Sequence, residues 1–166
     1  MNSDDYDKFY VVGETDGILD VCDFDALEHR QCIYKILKDS SLGFDEKINA
    51  ILSRYDLDIS TFDFNEVFSL LEYLDEGHRE IFSNGKINHR IQNPNKLIRL
   101  LAYFIYRHCS EAVDKEEFKA SLGLSIILTY LIESISCDNI EEIARVVSEE
   151  IEHSENNTDS IKEMFY

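Results

Sequence analysis

The stretch LIRLLAYFIY, residues 97–106, decides the fold, because nine of its ten residues are apolar or aromatic and only Arg99 is charged. A helix that is hydrophobic nearly all round belongs inside a bundle rather than on its rim. Its start is marked as well: Asn93 suits a cap position, and Pro94 suits the first helical turn, where its fixed φ and missing N–H do no harm. A second run of the same character, LGLSIILTYLI at 122–132, is expected to pack beside it. The reading is therefore all-α: one domain over 1–166, a helical bundle of about six helices around two apolar core helices.

The segments on either side are amphipathic. Asp25 with Glu28 three residues on makes a capping box for a helix over about 26–38, with Ala26, Ile33, Ile36 and Leu37 inward. A short helix over about 45–55 carries Ile48, Ile51, Leu52 and Tyr55 at helical spacing. Asp63 with Glu66 opens the next, to about residue 76, with Phe64, Val67, Phe68, Leu71 and Leu74 inward and Gly77 as its stop. Residues 78–93 read as a connection. Asp114, followed by Glu116 and Glu117, starts the second core helix, which runs to about 136, and Gly123 within it allows a close approach.

Asp138 or Asn139 caps a last long helix to about 153, with Ile140, Ile143, Val147 and Ile151 on one face and Glu141, Glu142, Glu149, Glu150 and Glu152 elsewhere. Residues 154–166 read as a partly mobile tail that docks through Ile161 and Phe165. At the other end, FYVV (9–12) and ILDVC (18–22) flank GETDG, so that residues 1–24 form either a small N-terminal β-hairpin or an arm lying on the helices.

A chain that is 44% hydrophobic and 11% aromatic can offset its ordering entropy, which excludes a disordered tail. The acidic N-terminus lacks the basic-then-apolar order of a secretory signal, and the apolar runs are shorter than the ~20 residues a bilayer span needs. The expectation is a cytoplasmic protein with no membrane span. Cys22, Cys32, Cys109 and Cys137 are scattered without a CxxC pair, so neither disulfides nor zinc is expected.

Charge is the outlier, at −18. Residues 1–76 carry 6 basic and 19 acidic groups, residues 77–110 carry 6 and 1, and residues 111–166 carry 4 and 14. Part of the basic middle must answer the protein's own acid, which leaves a large negative excess facing solvent. Such a field repels nucleic acid and anionic membranes and speeds encounter with a cationic partner.

Chemical motifs are weak. The acids near Asp56, Asp58, Asp63 and Glu66 do not make a calcium loop: counted from Asp56, the sixth place is Thr61 rather than Gly and the twelfth is Val67 rather than Glu. His29 and Cys32 lie one helical turn apart without an oriented third group. His78, Glu80 and His89 with Arg79 and Arg90 could support acid–base work on a phosphate, and Lys86, Arg90, Lys96 and Arg99 lead into a helix N-terminus that could hold an anion. The alternative use of this basic 78–99 segment is to pair with the acidic helices. No catalytic residue, metal or cofactor is assigned.

The acidic surface is the stronger signal because aromatic residues are interspersed in it: Tyr6 among Asp4, Asp5 and Asp7, Tyr55 beside Asp56, and Tyr73 between Glu72 and Asp75. Anchors and steering charge together describe a protein interface. Through DDYD (4–7), YDLD (55–58), LLEYLDE (70–76) and EEIE (149–152) on a helical body, the chain resembles the small acidic cytosolic immunity proteins of bacteria, including those of contact-dependent growth-inhibition systems. The resemblance is one of overall character and carries over no site residue. It implies tight, stoichiometric binding to a basic toxin domain, often a nuclease.

The expected partner-binding residues are Tyr55, Asp56, Asp58, Asp63, Glu66, Glu72, Tyr73 and Asp75, with Glu141, Glu142, Glu149 and Glu150 as a rival face. The expected partner is a basic protein, not nucleic acid. The alternatives are a DNA-mimic regulator of a DNA-binding protein, which the basic middle segment does not favour, and an enzyme or small-ligand protein using 78–99.

Overall fold

The computed structural model describes residues 24–60, 62–84, 93–135 and 139–166. The hairpin or arm expected over 1–24 falls almost wholly outside the described residues, as do Cys22, Lys86, His89, Arg90, Cys137 and Asp138. The described residues form an all-α, single-domain bundle of eight α-helices: α1 (Ala26–Lys38), α2 (Phe44–Tyr55), α3 (Phe64–Leu70), α4 (Glu76–Asn84), α5 (Pro94–Cys109), α6 (Lys115–Ile135), α7 (Ile140–Val147) and α8 (Glu155–Lys162). A π-helical turn, Ser148–Glu152, continues α7, and a 3-10 turn, Glu163–Phe165, follows α8.

The bundle is built around α6. Phe118, Leu122 and Ile126 face a cluster made with α1, α2 and α5, while Leu124, Ile127, Leu128, Leu131 and Ile132 face a second cluster made with α3, α4, α7 and α8. A helix with packed neighbours on both sides must be apolar all round, and each large side chain so buried contributes about 1.5–3 kcal/mol. Two of its hydroxyls are satisfied within the helix, Ser125 Oγ donating to Ser121 O at 2.8 Å and Thr129 Oγ1 to Ser125 O at 2.9 Å, while the buried Ser121 Oγ has no partner. By length and composition α6 could cross a membrane, yet 83% of its apolar window is buried among the other helices.

Helix α5, read from the sequence as equally central, is amphipathic instead. Leu97, Ile98, Leu101, Ile105 and Cys109 are buried, whereas Tyr103 and Tyr106 are 38% and 40% exposed. Tyrosine tolerates this because its ring packs while its hydroxyl stays wet. Asp25 is the N-cap of α1, as expected, its Oδ1 accepting from Leu27 N at 2.8 Å and Glu28 N at 3.2 Å. The other end of α1 is closed by buried Lys47, whose Nζ donates to Leu37 O at 2.7 Å and also to the carbonyls of Ile36 and Asp39.

Three boundaries differ from the sequence reading. The helix expected over 63–76 stops at Leu70, and Gly77, expected as its stop, lies in the first turn of α4, where its N–H donates to Asp75 Oδ1 at 2.7 Å. Residues 78–84, read as part of a connection that could hold one helical turn, belong to α4. Residues 154–166, read as a tail, fold as α8 and its closing turn, with Ile161 buried and the Phe165 ring against Gly123. A Cβ at Gly123 would lie 2.6 Å from that ring, so the close approach is by the chain's own C-terminus.

Candidate functional site

The break between α3 and α4 creates the most distinctive surface of the molecule. Residues 71–75 cross it, held from below by two buried polar side chains, Glu150 and Asn157, each only 1% exposed. Leu74 N–H donates to Glu150 Oε2 at 2.7 Å and Asp75 N–H to Glu150 Oε1 at 3.1 Å, while His78 Nδ1 lies 2.6 Å from the same Oε1. Asn157 Oδ1 accepts from Glu72 N at 2.8 Å, and its Nδ2 donates to Glu72 O at 3.0 Å and Glu150 O at 2.6 Å. A continuous helix through 71–75 would give up these bonds.

Above this support lies an open groove of about 400 Å³ lined by Asn65, Phe68, Ser69, Leu71, Tyr73 and Arg79. Tyr73 donates its hydroxyl to Phe68 O at 3.1 Å and sets its ring edge-on to Phe82, and the Arg79 guanidinium sits 5.0 Å from the Tyr73 ring centre. Burial pushes the Tyr73 hydroxyl pKa up, against the charge of Arg79. Leu70 and Leu74, bordering the 71–73 crossing, are 49% and 66% exposed.

The carboxylates of this region use their oxygens on backbone rather than on cations. Asp63 caps α3 through Asn65 N at 2.8 Å, Asp58 accepts from Ser60 N at 2.8 Å, and Asp75 holds Gly77 N. Hydrogen bonds from the Ser60 side chain and backbone hold the Asp58 carboxyl below its ordinary value. Glu72 Oε2 accepts from Asn156 Nδ2 at 3.1 Å. Among the described residues, Glu66, Glu72, Asp75 and Glu80 have no salt bridge, and only Glu76 pairs, with Arg79 at 3.5 Å.

Of the expected partner-binding residues, the structure brings Glu66, Glu72, Tyr73 and Asp75 to the α3–α4 break. Asp56 and Asp58 are exposed on the α2–α3 connection, outside the groove lining; Asp56 is the C-cap of α2, left-handed at φ 53°. Tyr55 points inward: it is 4% exposed, packs on Phe118 and donates its hydroxyl to His29 O at 3.1 Å, so its ring is a core element and not a surface anchor. The residues the sequence reading missed are Leu70, Ser69 and buried Asn157, and it gave Arg79 and Glu150 other roles. Leu74 was read as inward and stands outward.

The rival acidic face is partly neutralised within the chain, with Arg145 shared by two carboxylates. Lys96 reaches Glu141 at 2.5 Å, and Arg145 joins Glu142 at 2.7 Å and Glu149. Those partners hold the Glu141 and Glu142 carboxyls below the ordinary glutamate value. Glu150 and Glu152, expected outside, are inside, because each lies about 100° from Ile151 and a neighbouring helix reaches over it. Arg107 Nε and His108 Nε2 approach Glu152 Oε1 at 2.8 and 3.1 Å, outside good hydrogen-bond angles, so the contact is chiefly charge attraction. Burial raises the Glu152 carboxyl, but its contacts with His108, Ser148 and Arg107 outweigh this and hold it low.

Of the other expected constellations, Lys86, His89 and Arg90 lie outside the described residues. His78 turns to Glu150 on the α7 continuation, and Lys96 to Glu141 in the first turn of α7. His29 stacks on Phe24 with ring centres 4.9 Å apart and lies 3.3 Å from the Tyr55 hydroxyl. Cys109 is buried, its thiol pushed up to about 12 by desolvation. Among the described residues no cluster of three His, Cys, Asp or Glu side chains could hold a metal ion.

Compared with protein families, curated proteins and solved structures, the chain matches none. The groove and its charges therefore stand on their own geometry.

Proposed function

We propose that this protein is a non-enzymatic binding protein of the immunity type, which neutralises a cognate basic toxin, a nuclease in the most direct version, by forming a tight complex in the cytoplasm. The observation that carries this reading is the pairing of exposed apolar side chains with unneutralised carboxylates at the α3–α4 break. Leu70 and Leu74 supply desolvated contact, and Glu66, Glu72, Asp75 and Glu80 supply the field that steers a cationic surface onto it. The engagement of His78 and Lys96 by the chain's own acids supports the view that the basic segment serves structure rather than a substrate.

A pull-down from native lysate at low salt, followed by a salt wash, tests it. One basic protein should be retained, and Glu66→Lys with Glu80→Lys should slow its association. Retention of a DNA-binding protein that duplex DNA displaces would support the DNA-mimic reading instead. Capture that is indifferent to these charges would remove both.

A further inference from the structure

The groove between α3 and α4 has a division of charge that specifies what enters it. It is lined by Phe68, Leu71 and Tyr73, by the small polar Asn65 and Ser69, and by Arg79. Its surroundings carry Glu66, Glu72, Asp75 and Glu80, all exposed and without a salt bridge among the described residues. A cation entering the groove would meet Arg79 and be repelled, whereas a cation on the rim would meet carboxylates. An aromatic ring in the groove would meet the side chains of Phe68, Leu71 and Tyr73, beside the Arg79 guanidinium that already lies 5.0 Å from the Tyr73 ring centre.

The groove volume, about 400 Å³, suits one or two large side chains. Leu70 and Leu74 would remain half or more uncovered by any molecule confined within it. A macromolecular surface covers them; a small ligand does not. Deepening the binding role proposed above, and resting on it, we infer that the α3–α4 groove receives an aromatic side chain of the partner, flanked in the partner's sequence by Lys or Arg that settle on the acidic rim.

The inference is tested without knowing the partner. The probe is a capped nine-residue peptide with a central Phe between two Lys on either side and Ala elsewhere, titrated into the full chain at low salt and followed by amide NMR shifts. The expected result is saturable binding with shifts centred on α3, residues 71–75 and α4, weakened at least tenfold when the peptide's Phe is replaced by Ala. Ser69→Trp fills the groove from an exposed position and should weaken the Phe peptide by a similar factor while far-UV circular dichroism stays unchanged. Glu66→Gln with Glu80→Gln should weaken Phe and Ala peptides alike, since both use the rim.

Equal affinity of the Phe and Ala peptides, or shifts centred elsewhere, for example around exposed Val113 and Tyr166, overturns the inference. The two readings also fail separately. A basic partner captured equally by wild type and Ser69→Trp retains the binding role and removes the groove as its anchor. Phe-dependent peptide binding with no toxin captured retains the groove and removes the immunity reading.

Discussion

Residues 56–80 hold eight carboxylates in 25 positions and residues 139–153 hold five in 15, so the two regions are equally acidic by density and each carries one arginine. Their fates differ. In the second region Lys96, Arg145, Arg107 and two histidines meet the carboxylates, and two of the five are buried. In the first, Asp58, Asp63 and Asp75 accept hydrogen bonds from backbone N–H groups at caps and turns. A cap satisfies the oxygen and meets only about half a charge at a helix N-terminus, whereas an ion pair cancels the whole. Acid spent on caps therefore still projects a field into solvent, and acid spent on pairs does not.

The largest expected effect comes from removing the link between the two regions. Glu150→Ala strips two backbone N–H groups and His78 of their acceptor and should cost about 3 kcal/mol in urea denaturation, with faster amide exchange across 71–78. Glu149→Ala, one residue away but 40% exposed, should change stability by less than about 0.5 kcal/mol. Equal losses would mean that the buried carboxylate has no special part in holding the α3–α4 break.

Next comes Gly123→Ala, which presses Phe165 from α6 and should cost about 2 kcal/mol. Because α8 carries Asn157, exchange at the Glu72 amide should rise as well, and Phe165→Ala in the same chain should recover part of the loss. The charge reversals Glu66→Lys and Glu80→Lys should weaken association with the basic peptide about tenfold, or about 1.4 kcal/mol, at nearly unchanged stability. The reversals Glu141→Lys and Glu142→Lys should leave that association alone. If the second pair weakens binding as much as the first, the distinction between unpaired and paired acid has no bearing on recognition.

Acid should unlock the paired region by the usual sign of linkage. The folded-state pKa of Glu152 is lowered, so its contribution is present above the ordinary glutamate value and is lost as pH falls through the lower folded one. Thermal midpoints recorded downward from pH 6 should fall less steeply in Glu152→Gln than in wild type. The smallest effect is expected at Asp56, whose left-handed φ of 53° suits Gly or Asn better; Asp56→Gly should be neutral or stabilise by about 0.5 kcal/mol.

Much of the fold was legible in the residue order. Helices α1 and α5 start where Asp25 and Pro94 indicate, and the all-α architecture follows from the 3.6-residue period of the apolar positions. The candidate site was less legible. Tyr55 and Tyr73 look alike beside acids, yet α2 turns one into the core and the α3–α4 break leaves the other at the groove. Leu74 fits the inward helical stripe and stands outside because the helix it would have extended ends at residue 70.

The pattern of apolar and polar residues set the class of fold, the capped helix starts and a charge excess too large for the chain to absorb. These depend on local geometry and on counting, which need no knowledge of neighbours. Which carboxylates met a cation, where the 63–84 segment broke, and which of two apolar helices took the centre were settled by packing. Each of those outcomes turns on a contact between residues far apart in the chain, such as Glu150 with Leu74 or Lys96 with Glu141, and no local period encodes such a contact.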